Sequence, residues 1–410
     1  MNLPLFIAKR LIGAKRHKSS ISAPIMKIAM VAIAVGVIMM IITISSVKAL
    51  QMKVRDKITA FNGHVLIDNY DNNSSKISLV PVDKNQEFYP DFFQVEEVEH
   101  IQAVATKYGI IRTETDFEGI IVKGVGEEYA WKYFEEYLIQ GRLPDFTGSL
   151  NTEILLSEYL ADRLGFEVGD TVVTHFIKED KQTTLLRPFK VVGTYNSGFQ
   201  EFDQTYLFAD IRHIQRLNKW NENEIGHFEV FVSDFDDIDR VGAQIYEEVG
   251  SLLDARTIKT EFGADFEWLA LLDFNIVLII GIMIIIAAIN MITALLVLIL
   301  ERAQMIGMLK AMGSSDWSIR KVFLYNASYL MLVGLFFGNL IGIGMLLIQK
   351  YFNVIPLDPK TYFVTEAPVY LNWKYITAIN LSTLLLCLLI LIIPSFIITR
   401  ISPAKVIKFE

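Results

Sequence analysis

Four stretches of this chain, 28–47, 274–300, 322–348 and 375–399, each run for 20 residues or more without one charged side chain. About 20 apolar residues cross the roughly 30 Å of hydrocarbon in a bilayer, and a helix satisfies all of its own backbone polar groups there. The chain is therefore expected to be a membrane protein with four transmembrane helices. Residues 48–273 form a large insertion between the first helix and the second. The first run follows Lys9, Arg10, Lys15, Arg16, Lys18 and Lys27, as a signal peptide's core would. Its apolar core is too long for one and no A-x-A cleavage site follows, so it reads as an uncleaved anchor.

Charge gives the orientation. Residues 51–270 hold 40 of the 46 acids and 21 of the 38 Lys and Arg, a formal charge of −19 against +11 for the rest. A large acidic domain joined to a basic membrane part argues against nucleic-acid binding. Lys and Arg concentrate in 1–27, in the loop 301–321 (Arg302, Lys310, Arg320, Lys321) and in the tail 400–410, whereas the loop 349–374 is balanced. By the positive-inside rule, both termini and 301–321 are cytoplasmic, while 48–273 and 349–374 lie outside. The single cysteine, Cys387, lies inside an apolar run, so no intrachain disulfide can support the insertion. Its length is sufficient for a hydrophobic core of its own.

Within the insertion the pattern is α+β. Segments 64–68, 119–123, 171–177, 189–194 and 228–232 read as strands, and 128–139, 157–164, 211–217 and 238–249 as helices. The first span continues outward as a helical stalk with Val47, Leu50, Val54 and Ile58 on one stripe. Phe262, Phe266 and Leu269 form a second stalk before span two. At the N-terminus, Asn2 can cap a short amphipathic helix with Leu3, Phe6, Ile7 and Leu11 on its apolar face, suited to the inner leaflet. The acid clusters Glu96, Glu97, Glu99 and Asp234, Asp236, Asp237, Asp239 read as solvated loops or helix starts. Gly334, Gly338 and Gly342 permit close helix approach in span three, within the chain or between two chains. Asn290 and Thr293 in span two are expected to bond across helices, and Pro394 to kink span four.

The cytoplasmic loop is the most informative segment: Glu301, Arg302, Ala303, Gln304, Met305, Ile306, Gly307, Met308, Leu309, Lys310, Ala311, Met312, Gly313. Met305, Met308, Leu309 and Met312 fall on one helical face. Gly313 stops the helix, and Ser315 or Asp316 can cap the next. So short an apolar face has no core of its own to fill. It meets either the bilayer surface or a partner protein.

That run resembles the coupling segment of the FtsX-like permease family, whose pattern is close to E-R-x-x-x-I-G-x-x-[KR]-A-[LM]-G. Met305 stands where many relatives have Glu. The close of the chain, Pro394 and Arg400-Ile401-Ser402-Pro403-Ala404-Lys405, is also similar. In the insertion, Phe61-Asn62-Gly63-His64-Val65, Gln140-Gly141-Arg142-Leu143, Ile154-Leu155-Leu156-Ser157-Glu158-Tyr159-Leu160-Ala161, Leu164-Gly165, Gly169-Asp170 and the run from Val191-Val192-Gly193 to Phe202-Asp203 resemble, in order, the LolC/LolE lipoprotein-releasing permeases. Each glycine alone reads as a turn.

The resemblance implies a permease subunit that docks through Glu301 to Gly313 on cytoplasmic ABC ATPase subunits. It pairs with a second permease chain, the same or different, in the inner membrane, among membrane lipids. It moves lipoprotein cargo out of the outer leaflet by a mechanical stroke. A soluble lipoprotein carrier in the periplasm would receive the product. Carrier-recruiting relatives carry a proline-bearing hook just before the V-V-G strand, whereas 178–187 here is short and polar, with Pro188 at its end. Cargo would pass between the outer halves of spans one and two, with Met39, Met40, Thr43, Phe274, Val277 and Leu278 as its wall. Two other readings of such a chain are efflux of an amphiphile and control of a cell-wall hydrolase. No Walker A, H-E-x-x-H or C-x-x-C motif is found and six scattered histidines offer no ligand spacing, so neither catalysis, a cofactor nor a metal is expected of this chain.

Overall fold

The computed structural model describes residues 3–13, 22–72, 75–178 and 181–401. Asn2, Lys15, Arg16, Lys18, Glu179, Asp180 and the tail from Ser402 lie outside the described residues. Two compact units emerge: Met1–Leu50, Leu269–Pro356 and Ala367–Glu410 form one, and Gln51–Trp268 with Leu357–Glu366 form the other.

Among the described residues, four helices are long and apolar enough to cross a membrane, at Pro24–Asn62, Gly263–Glu301, Asp316–Phe352 and Trp373–Arg400. The first three, at 39, 39 and 37 residues, overrun a bilayer's thickness, because their ends continue beyond the apolar runs. The bundle packs through small residues. A Cβ on Gly338 would lie 2.8 Å from that of Val37, and one on Gly334 would lie 2.9 Å from Ile33. The glycine row thus seats span three against span one of the same chain. Asn339 and Asn380 exchange amide hydrogen bonds of 2.7 and 2.9 Å between spans three and four.

Asn290 and Thr293 do not bond across helices as expected. Each donates to the carbonyl four residues back in its own helix, at 3.0 and 3.1 Å. A short polar side chain on a helix reaches that acceptor first. The N-terminal helix Leu3–Gly13 also turns differently: Ala8 is buried, with Ile7 and Leu11 packed beside it, whereas Leu3 and Phe6 are exposed. At Pro394 the last span tightens into a 3-10 turn, Phe396–Arg400, since proline supplies no N–H to the ladder.

Among the described residues the inserted domain has twelve strands: β1 Val65–Asn69, β2 Val82–Asp83, β3 Val98–Arg112, β4 Phe117–Val125, β5 Leu138–Gly141, β6 Glu153–Ser157, β7 Thr171–Lys178, β8 Lys181–Tyr195, β9 Tyr206–Asp210, β10 Glu224–Ile225, β11 His227–Val232 and β12 Leu253–Thr257. Ten form one mixed sheet in the order β12-β1-β11-β3-β4-β9-β6-β8-β5, with β7 paired to β3 and β8, while β10 pairs with β2. Ile120 to Val125 of β4 are buried on both faces. Helix Ile211–Asn218 covers one face so closely that a Cβ on Gly124 would sit 2.7 Å from the Ile211 Cα.

The helix expected over 128–139 does not form. Two 3-10 turns, Trp131–Tyr133 and Glu135–Tyr137, lead into β5 instead. Tyr129, Phe134 and Tyr137 are all buried, and Phe134 meets Phe61, Tyr195 and Phe208 edge-on. Burying three rings from one short segment outweighs the helical propensity of its Glu and Lys residues.

Candidate functional site

The segment 301–321 folds as expected at its ends. Helix Ala303–Ala311 stops at Gly313, whose φ of +87° suits glycine. Ser315 caps the helix Asp316–Phe352 by accepting from the Ser318 N–H at 3.4 Å. The expected four-residue apolar face, however, divides. Ile306 and Gly307 are buried, and Met305 and Leu309 pack on the bundle core. Met308 and Met312 remain 53% and 74% exposed, flanked by the exposed Glu301, Gln304, Ala311 and Gly313, with Trp317 nearby in sequence and half exposed. Arg302 is half-buried. Of the helix's long apolar side chains, Met308 and Met312 stay open, an unbranched, polarizable surface of a kind that adapts to a partner.

Two cations tie this segment to the end of span four. Lys310 Nζ donates to the Ile398 and Thr399 carbonyls at 2.8 and 3.3 Å and pairs with Asp316 at 2.8 Å. Arg320 is buried between Trp317 and Phe396, its guanidinium 3.7 Å from the Phe396 ring centre. It donates to Ser395 Oγ at 3.0 Å and to the Ile392 carbonyl at 3.3 Å. These are carbonyls of a helix C-terminus, where cations are favoured.

Spans one and two lie alongside each other, with Gly36 near Met283 and Lys48 paired with Asp273 at 2.7 Å. This antiparallel register sets Met39 and Thr43 at about the level of Leu278 and Val277. Met39, Phe274, Val277 and Leu278 are exposed, and Thr43 is half-buried. Met40 is 1% exposed within the bundle core, so it forms no part of an open wall. On a helix the residue next to an outward one points inward, which a list of consecutive candidates ignores.

The domain end of helix Ser22–Asn62 is its most elaborate site. Phe61 is buried and stacks on Phe202, with ring centroids 4.5 Å apart. The helix stops at Gly63, with φ +68°, and Gly63 N donates to the Thr59 carbonyl at 2.8 Å. Lys123 donates to the freed Phe61 carbonyl and pairs with Glu229; both side chains are 1% exposed. Gln102 donates to the other Glu229 oxygen at 2.8 Å and accepts from Ala130 N at 2.8 Å. Burial works against the Glu229 carboxylate, but Lys123 and His227 beside it hold it below the usual range. The pair fixes a helix terminus. Sequence reasoning missed both residues. Each is the one charge inside an otherwise apolar strand, Gly119 to Val125 and Phe228 to Val232, and that was the available signal.

The run from Val191 to Asp203 has an equally local explanation. Tyr195 Oη donates to the Tyr206 carbonyl at 2.7 Å. Asp203 accepts from Ser197 N, Ser197 Oγ and Gly198 N at 3.1, 2.6 and 2.9 Å. This loop holds Phe199 over Phe202 at 4.6 Å.

The FtsX-like permease C-terminal family matches residues 277–403, and the MacB-like periplasmic core domain family matches 27–247, more than half of the chain. This chain belongs to the FtsX-like permeases with a MacB-like periplasmic core domain. It is similar to the lipoprotein-releasing system transmembrane protein LolC of Haemophilus influenzae, 23% identical across 100% of both chains. LolC of Buchnera aphidicola is 21% identical over 92% of each chain, and LolE of Haemophilus influenzae is 21% identical over 100% of each. The periplasmic region of MacB from Actinobacillus actinomycetemcomitans aligns with 50% of this chain and 92% of its own, at 16% identity and a TM-score of 0.34. The FtsX-like, LolC/LolE-type permease is thus a subunit of an ABC transporter, with its α+β domain set between the first and second of four membrane helices.

Proposed function

We propose that this permease couples ATP hydrolysis in a separate cytoplasmic subunit to the release of lipoproteins from the outer leaflet of the inner membrane. The observation that carries the reading is the end-to-end match to the LolC and LolE proteins, whose names state lipoprotein release. The chain lies N-in and C-in with its core domain in the periplasm, in keeping with the basic cytoplasmic segments. Each buried CH₂ holds a lipid anchor by about 0.8 kcal/mol, so two or three acyl chains amount to tens of kcal/mol, which calls for an energy source.

The ATPase docks on the Met308 and Met312 face, and a second permease chain, the same or different, completes the membrane path. Helix Ser22–Asn62 is a continuous lever from span one to the Phe61 anchor, so a movement of the span is carried into the domain. Cargo chains pass along the exposed Met39, Thr43, Phe274, Val277 and Leu278 surface.

The test is reconstitution of the complex in proteoliposomes with a labelled triacylated lipoprotein. ATP-dependent appearance of soluble, carrier-bound lipoprotein supports the reading. ATP-dependent loss of a small amphiphile with no lipoprotein release would replace it with efflux.

A further inference from the structure

The loop between spans three and four is seated in the inserted domain. Residues Leu357–Glu366 belong to that unit. At its tip Phe363 adopts a left-handed φ of +59°, costly for a residue with a Cβ, and its ring stacks on Phe199 at 4.6 Å. Trp268 meets the same ring edge-on at 5.7 Å, and the Phe363 carbonyl accepts from Lys57 Nζ at 2.8 Å. Phe61, Phe202, Phe199 and Phe363 thus form one run of stacked rings, from the end of the stalk helix to the tip of the loop.

The loop's neck is stiff. Ala367 N donates to the Ile355 carbonyl at 3.0 Å, and Leu357 N to Thr365 at 2.9 Å. The buried Gln349 side chain joins both sides, accepting from Ile355 N at 3.0 Å and donating to the Ala367 carbonyl at 3.1 Å. At the cytoplasmic end, span four is held by Lys310 and Arg320 as described. Lys310 of the coupling helix thus holds the cytoplasmic end of the hairpin, where Arg320 of span three joins it to span four, and Phe363 seats the other end in the inserted domain.

We propose that this hairpin is a second force-bearing path, held by Lys310 and Arg320 at the coupling segment and by Phe363 in the inserted domain, acting beside the stalk helices. Lys310, Arg320 and Phe363 are positioning residues that set how much cargo moves per ATP. The proposal rests on the function proposed above. In a Cys387→Ala background, the reconstituted complex is compared as wild type, Lys310→Met, Lys310→Arg, Phe363→Ala, and Phe199→Cys/Phe363→Cys with and without a short bis-maleimide bridge.

ATPase copurification and hydrolysis are expected to stay within about twofold of wild type in Phe363→Ala and in the Phe199→Cys/Phe363→Cys variant with and without the bridge. Lipoprotein released per ATP should fall at least tenfold in Lys310→Met, Phe363→Ala and the unbridged double variant. It should recover to within threefold in Lys310→Arg and on bridging. Because the bridged and unbridged samples share one polypeptide, a folding defect cannot imitate that recovery. Wild-type release per ATP in Phe363→Ala, or no recovery on bridging, overturns the proposal. If wild type releases no lipoprotein, the proposed function fails and the strut is judged separately by spin labels at Thr361 and Tyr246. One sharp distance, with and without ATP, that broadens in Phe363→Ala supports the strut; an unchanged distribution in that variant refutes it.

Discussion

The inserted domain and the helix bundle treat polar groups in opposite ways. The domain buries a complete ion pair, Lys123 with Glu229, under a helix end, and surrounds it with amide and aromatic partners. The bundle gains its closeness from glycine, and its buried Arg320 and half-buried Lys310 sit at helix ends where carbonyls are free. The domain can rely on the exclusion of water from an apolar core. In lipid that drive is absent between helices, and fit takes its place. The stalk helix is locked by polar and aromatic partners where it enters the domain, whereas the bundle is held by close packing and by bonds at helix ends.

The sharpest way to break this contrast is to unpair the buried charge. Lys123→Met or Glu229→Leu alone should cost about 3–5 kcal/mol, and the double variant should recover most of it. Thermal unfolding of the full chain in detergent reads both; equal losses for single and double variants would mean the pair acts through packing alone. Next, Gly338→Val drives a branched side chain into Val37 and Ala34 and should cost about 2–3 kcal/mol, with the bundle loosened first. Cysteine accessibility along span one separates that from a domain effect.

A smaller effect concerns protons. Burial, then the nearby Arg55, pulls His64 down to about 4, and its neutral Nδ1 accepts from Val232 N at 2.9 Å. The folded pKa lies below the unfolded value of about 6.5, so the unfolded chain takes the proton first as pH falls. Stability present above pH 6.5 should decline between 6.5 and 4 by ~1–2 kcal/mol for this half-buried ring, a decline absent in His64→Gln. The smallest effect is expected from Asn339→Ala, under about 1 kcal/mol, since interhelical hydrogen bonds in lipid contribute little net.

Much of this was legible in the sequence, for reasons that also mark where legibility ended. Charge-free runs announce spans because lipid forbids charges, and Gly313 with Ser315 announces a helix stop and start because backbone geometry demands them. The strands 119–123 and 228–232 were readable from β-branched and aromatic residues, yet β3 was not, since acids lead into it and its burial follows no simple alternation. The 128–139 segment misled because tertiary burial of its rings overrode local propensity. In the candidate docking segment, a count of methionines on one face was correct about periodicity. It could not say which of them the chain's own bundle would claim: Met305 and Leu309 turned inward, while Met308 and Met312 stayed out. Phe363 was invisible, since its role depends on Phe199, far away in sequence.

In the proposed mechanism, force enters through the exposed part of the coupling helix. Its most direct test is copurification of the ABC ATPase with a tagged chain carrying Met308→Glu and Met312→Glu. Both side chains are exposed, so the fold and thermal midpoint should not change. A charge set into an apolar docking face should reduce the bound ATPase at least tenfold, with lipoprotein release lost in proportion. Undiminished copurification, with release intact, would contradict the account and place the Met308 and Met312 face on the membrane surface instead.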